Sequence, residues 1–242
     1  MTRCEGVNKS FERNSSSLNL EIIKEWNDQG YKIEHYGHRV DVLIFSEAHS
    51  YPEHQIKQLQ LINIVKPEYV LHESLGGWIY EPLREIYVKQ KGRKLNDFDK
   101  INPSILIEIE FLSLAKKLDF KIVGCDLTDM ECKEMAKILC KVFPEKYDYD
   151  QTNDQIKYRE KTPYSLYSSF VPLYDLKEDK NIMHCREKHM VKTIAKYQKK
   201  SEKPLIVILG QAHGEAIHQR KLFQRRKFGY VYIDQVNRCV GR

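Results

Sequence analysis

The sequence predicts an α/β fold. It is a mostly parallel sheet with helices on both faces, the active site at the carboxyl ends of the strands and a helical or irregular insertion as a lid. Three observations carry this. Short apolar runs alternate with helix-length amphipathic segments along the chain. Three of the runs stop at an acid: Glu47, Glu73 and Asp126. Two of them, Val42-Leu43-Ile44-Phe45 and Leu205-Ile206-Val207-Ile208-Leu209, lead into related turns, Ser46-Glu47-Ala48-His49 and Gly210-Gln211-Ala212-His213.

In chain order, residues 1–17 are polar, rich in Ser and Asn, and read as a loose tail. Residues 18–242 read as a single domain. Leu18, Ile22, Ile23 and Trp26 recur at helical spacing and Gly30 ends that helix. Residues 41–45 form the first strand. Tyr51-Pro52-Glu53 opens a helix striped by Ile56, Leu59, Leu61, Ile62 and Val65, and Pro67 closes it. Residues 69–72 form the second strand, followed by Glu73 and the loop signal Gly76-Gly77. Residues 82–90 are expected to be a helix and 91–102 a polar loop. Ser104 should cap a helix carrying Ile105, Leu106, Ile109, Leu112, Leu114, Ala115 and Leu118. The third strand covers residues 121–125, ahead of Asp126, and Thr128 caps the next helix, to about residue 143.

Residues 144–180 change character, with six tyrosines, three prolines and no clear period. They read as an insertion, partly helical, over the mouth of the pocket. Residues 181–199 form a helix, 204–209 a strand, 213–227 a helix and 230–233 the last strand.

Composition narrows the partners. A chain of 242 residues with 41% hydrophobic and 11% aromatic residues affords a core and argues against disorder. Lysine-rich helix faces account for the net charge of +6, and nucleic acid is not the expected partner. The basic run from Arg220 to Lys227 suits the last turns of a helix as well as it would suit phosphates. No run approaches the ~18 apolar residues of a membrane span. The polar start Met1-Thr2-Arg3 lacks a signal region, so the expected location is cytoplasmic. Six cysteines with no Cys-x-x-Cys pair read as reduced thiols, not as disulfides or a zinc ribbon.

If the sheet is parallel, Glu47, His49, Glu73, Asp126 and His213 share one edge. Two imidazoles and several carboxylates suit a divalent metal such as Zn, Mn, Fe or Co, which would acidify a bound water. Glu47 or Glu73 would be the general base, with or without metal. Each residue also has a structural reading. A histidine after a strand can simply pack or cap, Asp126 can help cap the following helix, and Glu73 can satisfy loop amides. Arg186-Glu187, on the helix before the last histidine turn, could fix a carboxylate or a substrate oxygen, or be an exposed charge pair. Cys125 could be a nucleophile, although its place at the end of an apolar strand favours a buried, inert thiol. His184 and His189, five apart, do not share a helical face.

Gly210-Gln211-Ala212-His213 is a Gly-x-x-His motif, and Ser46-Glu47-Ala48-His49 is similar to a Gly-Glu-x-His motif with serine for glycine. With Glu73, Asp126 and Arg186-Glu187 in order, they resemble the superfamily that joins TraB-type pheromone-shutdown proteins, Tiki metalloproteases, erythromycin esterases and ChaN-like haem-binding proteins. The resemblance spans residues 40–235. It implies an α/β fold with its site at the strand ends and a hydrolase, metal-dependent in Tiki-like members, cleaving an amide or ester of a peptide or small molecule. Carried over, it assigns His49, His213 and Glu73 as metal ligands and Glu47 as a further acid. In esterase-like members a histidine with carboxylate help activates water, which falls on His49 and Glu47. Asp126, Arg186, Gly210 and Gln211 are expected to support the site or orient substrate. The same superfamily implies an alternative, a non-catalytic ligand-binding or haem-binding protein.

Overall fold

The computed structural model describes residues 20–37, 39–48, 51–95, 107–145, 147–150, 155–158, 170–171, 180–223 and 228–238. The expected tail and His49 lie outside the described residues.

Eleven strands are described: β1 (Tyr31–Tyr36), β2 (Val42–Glu47), β3 (Tyr69–His72), β4 (Trp78–Glu81), β5 (Ile86–Lys89), β6 (Lys121–Gly124), β7 (Tyr147–Asp150), β8 (Gln155–Tyr158), β9 (Phe170–Val171), β10 (Leu205–Gly210) and β11 (Tyr230–Arg238). The helices are α1 (Leu20–Asp28), α2 (Pro52–Val65), α3 (Ile109–Leu118), α4 (Asp129–Val142), α5 (Lys180–Gln198) and α6 (Gln211–Gln219). Eight strands form one sheet in the order β1-β11-β2-β10-β3-β6-β4-β5. The central five, β11 to β6, are parallel. Both ends of the sheet are finished by antiparallel strands.

The five parallel strands read as unbroken apolar runs because both faces are covered. On β2, Leu43 and Phe45 face one core with Trp26, Leu61, Ile62 and Phe111 of α1, α2 and α3. Val42 and Ile44 face the other, with Met190, Val191, Ile194 and Ile217 of α5 and α6. The chain winds outward from β2 to β3 to β6 over the first face. It then returns to β10 and to β11 over the second, as a constant crossover hand requires. The strand β10 is thereby inserted between β2 and β3, and its helix leaves on the face opposite theirs. That divergence opens a crevice at the carboxyl ends of these three strands.

Some elements differ from the sequence expectation. Residues 82–90 are not a helix. They are a turn with Glu85 at φ 51 followed by β5, paired to β4. The helix expected over 213–227 starts earlier, at Gln211, and ends at Gln219, with Lys221 at φ 53 in the turn beyond. The insertion at 144–180 holds a three-stranded antiparallel sheet, β7-β8-β9, in its described part rather than helix, and β7 and β8 contact α4. Ser104 lies outside the described residues, and α3 begins after Glu108. Thr128 caps α4 as expected, in a reciprocal box with Glu131.

Gly124 is where the sheet meets the turn after β3. A Cβ there would sit 1.6 Å from the Leu75 carbonyl oxygen, so only glycine fits. At the other side of the sheet, His218 of α6 stacks on Tyr232 at 4.0 Å and meets Tyr36 edge-on. Its Nε2 lies 3.2 Å from a Glu34 oxygen. Burial lowers the His218 pKa below its ordinary 6.5, against the pull of Glu34. The unfolded chain therefore takes up the proton first as pH falls through 6.5, and stability is lost on the acid side. The urea midpoint should drop between pH 7 and pH 5, and His218→Gln should flatten that profile. An equally steep profile in the variant would show that His218 is not its source.

Candidate active site at the carboxyl edge

The five parallel strands bring Glu47, Glu73, Asp126 and His213 to one edge. Gly210 is paired with Glu47, and Ile208 with both Phe45 and His72. Glu47 ends β2, and Glu73 follows β3 in a single 3-10 turn (Glu73–Leu75). β2 and β3 flank β10, so their axes lie two strand spacings apart, roughly 10 Å. Gly210 stands between them. Its amide donates to Glu73 Oε2 at 2.7 Å. Gly210 is also the residue from which α6 starts, so Glu73 sits at the positive end of that helix.

His213 is the third residue of α6 and 5% exposed. His49, two residues after Glu47 in the sequence, lies outside the described residues. Ser46 is fully buried in ordinary strand backbone, and its hydroxyl lies 3.5 Å from the Gln211 carbonyl. The helix presses directly on it. A Cβ on Gly214 would come within 2.8 Å of Ser46 Cβ and Oγ. The requirement at position 46 is smallness, which serine meets. Gln211 is partly buried and opens α6.

Asp126 is held from both sides. Arg186 of α5 donates from Nε to both carboxylate oxygens at 3.2 and 3.0 Å and from Nη2 to Oδ2 at 2.5 Å. The carboxylate also accepts the Leu127 amide at 2.6 Å. Arg93, from the loop after β5, donates to the Asp126 carbonyl and bridges to Glu131 at 2.7 and 2.8 Å. Burial works against the Arg186 charge, and the bonds and charge of Asp126 outweigh it, so the Arg186 pKa is raised. Glu187, read from sequence alone as half of an exposed pair, is instead 1% exposed. It is bonded at 2.5 Å to Arg220, the residue that caps the C-terminus of α6, and burial raises its pKa against the opposing charges of Arg220 and His184. The Cys125 thiol is fully buried. Burial, with the charges of Asp126 and Glu73, pushes its pKa well up, which makes it a poor nucleophile.

Two residues at this edge carry no signal in the sequence motifs. Gln58 of α2 donates to Glu47 Oε2 at 2.5 Å, and Gln235 of β11 accepts from Gln58 at 2.8 Å. Both are 1% exposed. The available clue was position. Gln58 falls three and four residues before Leu61 and Ile62 on the inward stripe, and Gln235 continues the alternation Val231, Ile233. His72 was read only as strand. Its Nδ1 accepts the Ser74 amide at 3.1 Å and so caps the turn that carries Glu73.

The donor types suit a divalent metal, but each described carboxylate already has its own donor. Among the described residues no three His, Cys, Asp or Glu side chains stand close enough to hold an ion.

Removing one partner of the Asp126–Arg186 pair leaves a charge among groups only 8% and 13% exposed. Arg186→Leu should cost about 3 kcal/mol in urea unfolding. Asp126→Leu combined with Arg186→Leu should recover much of it. A double variant no more stable than the single would show that the pair is not coupled. Comparison of the chain with family models, curated proteins and solved structures finds no match in any of the three.

Proposed function

We propose that the carboxyl edge is a hydrolytic site that cleaves an amide or ester, with water activated by Glu47 and the strand-end histidines His49 and His213. The observation that supports this best is the placement of Glu47 and Glu73, 26 positions apart in sequence, at the ends of the two strands that flank Gly210. Carboxylates on opposite walls of a strand-end crevice can divide the work. One takes a proton from water and the other holds the edge in shape. The bonding separates those duties. Asp126 is neutralised by Arg186 and Glu73 is tied to a backbone amide, whereas Glu47 is met by the uncharged amide of Gln58. Glu47 is thus our choice for the base, and Asp126 and Arg186 shape the wall beside Glu73.

In this reading a divalent ion, held by His49, His213 and Glu73, would supply a more acidic bound water. Residues 144–180 would select the substrate, and the protein would work where its thiols stay reduced, in the cytoplasm. Among the described residues no helix is long and apolar enough to cross a membrane. A second reading, a binding protein that grips haem or another ligand without cleaving it, is favoured by one observation. The described carboxylates are each engaged by a protein donor.

The test is a panel of p-nitrophenyl esters and fluorogenic peptides, together with metal analysis of protein purified without chelator. Glu47→Gln should lower kcat by about 10²–10⁴-fold. His49→Ala and His213→Ala should lower both turnover and bound metal. No hydrolysis of any member of the panel, with haem copurifying, would decide for the second reading.

A further inference from the structure

The first face of the sheet changes from apolar to polar at one level. On β2 the sequence runs Leu43, Phe45, then Glu47; on β11 it runs Val231, Ile233, then Gln235. The register pairs Ile233 with Phe45 and Asp234 with Ser46, so Gln235 lies alongside Glu47 on the same face. The covering helix α2 makes the same change one turn earlier in its own sequence. Leu61 and Ile62 pack on the apolar part, and Gln58 and His54 lie over the polar part. Three elements thus deliver a partly buried carboxylate and two buried amides to one spot, where a buried polar group must be bonded.

The direction of each bond in this spot is fixed by its far end. The His54 main-chain carbonyl can only accept, and Gln235 Nε2 donates to it at 3.2 Å. Gln235 must then turn its Oε1 toward Gln58, which donates to it at 2.8 Å. Gln58 thereby presents its nitrogen, with two protons, to this side, and the second proton meets Glu47 Oε2 at 2.5 Å. The amide orientations follow from the backbone anchor and admit one arrangement only.

We propose that Gln58 and Gln235 are positioning residues for Glu47, forming a one-way relay of amides that starts at the His54 carbonyl and fixes the Glu47 carboxylate by donation. The proposal rests on Glu47 being the base of the site. Gln235 touches no reacting group and acts only through Gln58. A side chain that merely filled space would be replaced by leucine without consequence for its neighbour's hydrogen bonds. The relay predicts the opposite, since removing the Gln235 oxygen frees the Gln58 amide to rotate away from Glu47.

The full chain is labelled with 15N at glutamine side chains, and exchange of their amide protons is followed without any substrate. Signals are assigned from Gln58→Leu and Gln235→Leu. Gln58 and Gln235 should exchange at least about tenfold more slowly than the exposed Gln60, the ratio expected when bonding worth about 1.4 kcal/mol must open first. Gln235→Leu should abolish the Gln58 protection. Wild-type exchange of Gln58 at the Gln60 rate, or protection of Gln58 undisturbed by Gln235→Leu, would overturn the relay. On p-nitrophenyl esters, kcat should fall about tenfold in Gln235→Leu with KM unchanged. Should Glu47→Gln hydrolyse those esters as fast as wild type, the choice of base fails, and the exchange result still decides the relay by itself.

Discussion

The hydrogen bond from the Gly210 amide to Glu73 joins the two halves of the winding. Glu73 belongs to the outward run of strands and Gly210 to the return, and they meet only because β10 is threaded between β2 and β3. A charge-assisted bond of this kind, at 2.7 Å, is roughly twice as strong as a neutral one. It lies at the start of α6, where the unpaired amides of the helix favour a negative group. The same contact therefore sets the register of the crevice, anchors the turn after β3 and gives the helix its first acceptor. Glycine at 124 is a condition for it, because that turn lies directly against β6.

From this contact outward the carboxyl edge is a layer of buried and partly buried polar groups, most of them held by a partner from another element. Asp126 has Arg186, Glu47 has Gln58, and His72 caps its own turn. Burial of this kind is costly unless every group is satisfied, and satisfying them requires the elements to arrive in one arrangement. Stability at this edge is thus exchanged for definition. Groups capable of proton transfer are held in fixed rotamers by donors from α2, α5 and the start of α6. The chemistry proposed for Glu47 needs that fixity, because a general base must meet its proton in a narrow geometry.

The sequence was most legible where physics is local or repetitive. The five parallel strands stood out as apolar runs because they are covered on both faces. The Thr128 cap stood out because its box is four residues long. Strands β1, β4 and β5 were missed, and residues 82–90 were read as helix. These lie at the sheet margins, where pairing to a neighbour, not burial, decides the conformation, and Tyr-Lys-Ile-Glu-His-Tyr carries too many polar residues to look like a strand. The acids were legible as strand ends. Their partners were not, since Gln58, Gln235 and Arg93 reach the edge from elements 11, 177 and 33 residues away from the groups they hold. Arg186 was singled out with two alternatives, and the one in which it fixes a carboxylate is the arrangement found.

The bond from Gly210 across to Glu73 joins the two halves of the sheet edge, and the amide proton of Gly210 reports it directly. In a 15N-labelled sample this proton should resonate well downfield and exchange slowly, and both properties should vanish in Glu73→Ala while the amides of Ile206 and Ile208 keep theirs. A Gly210 amide that exchanges freely in the wild type, or is indifferent to Glu73→Ala, would contradict it.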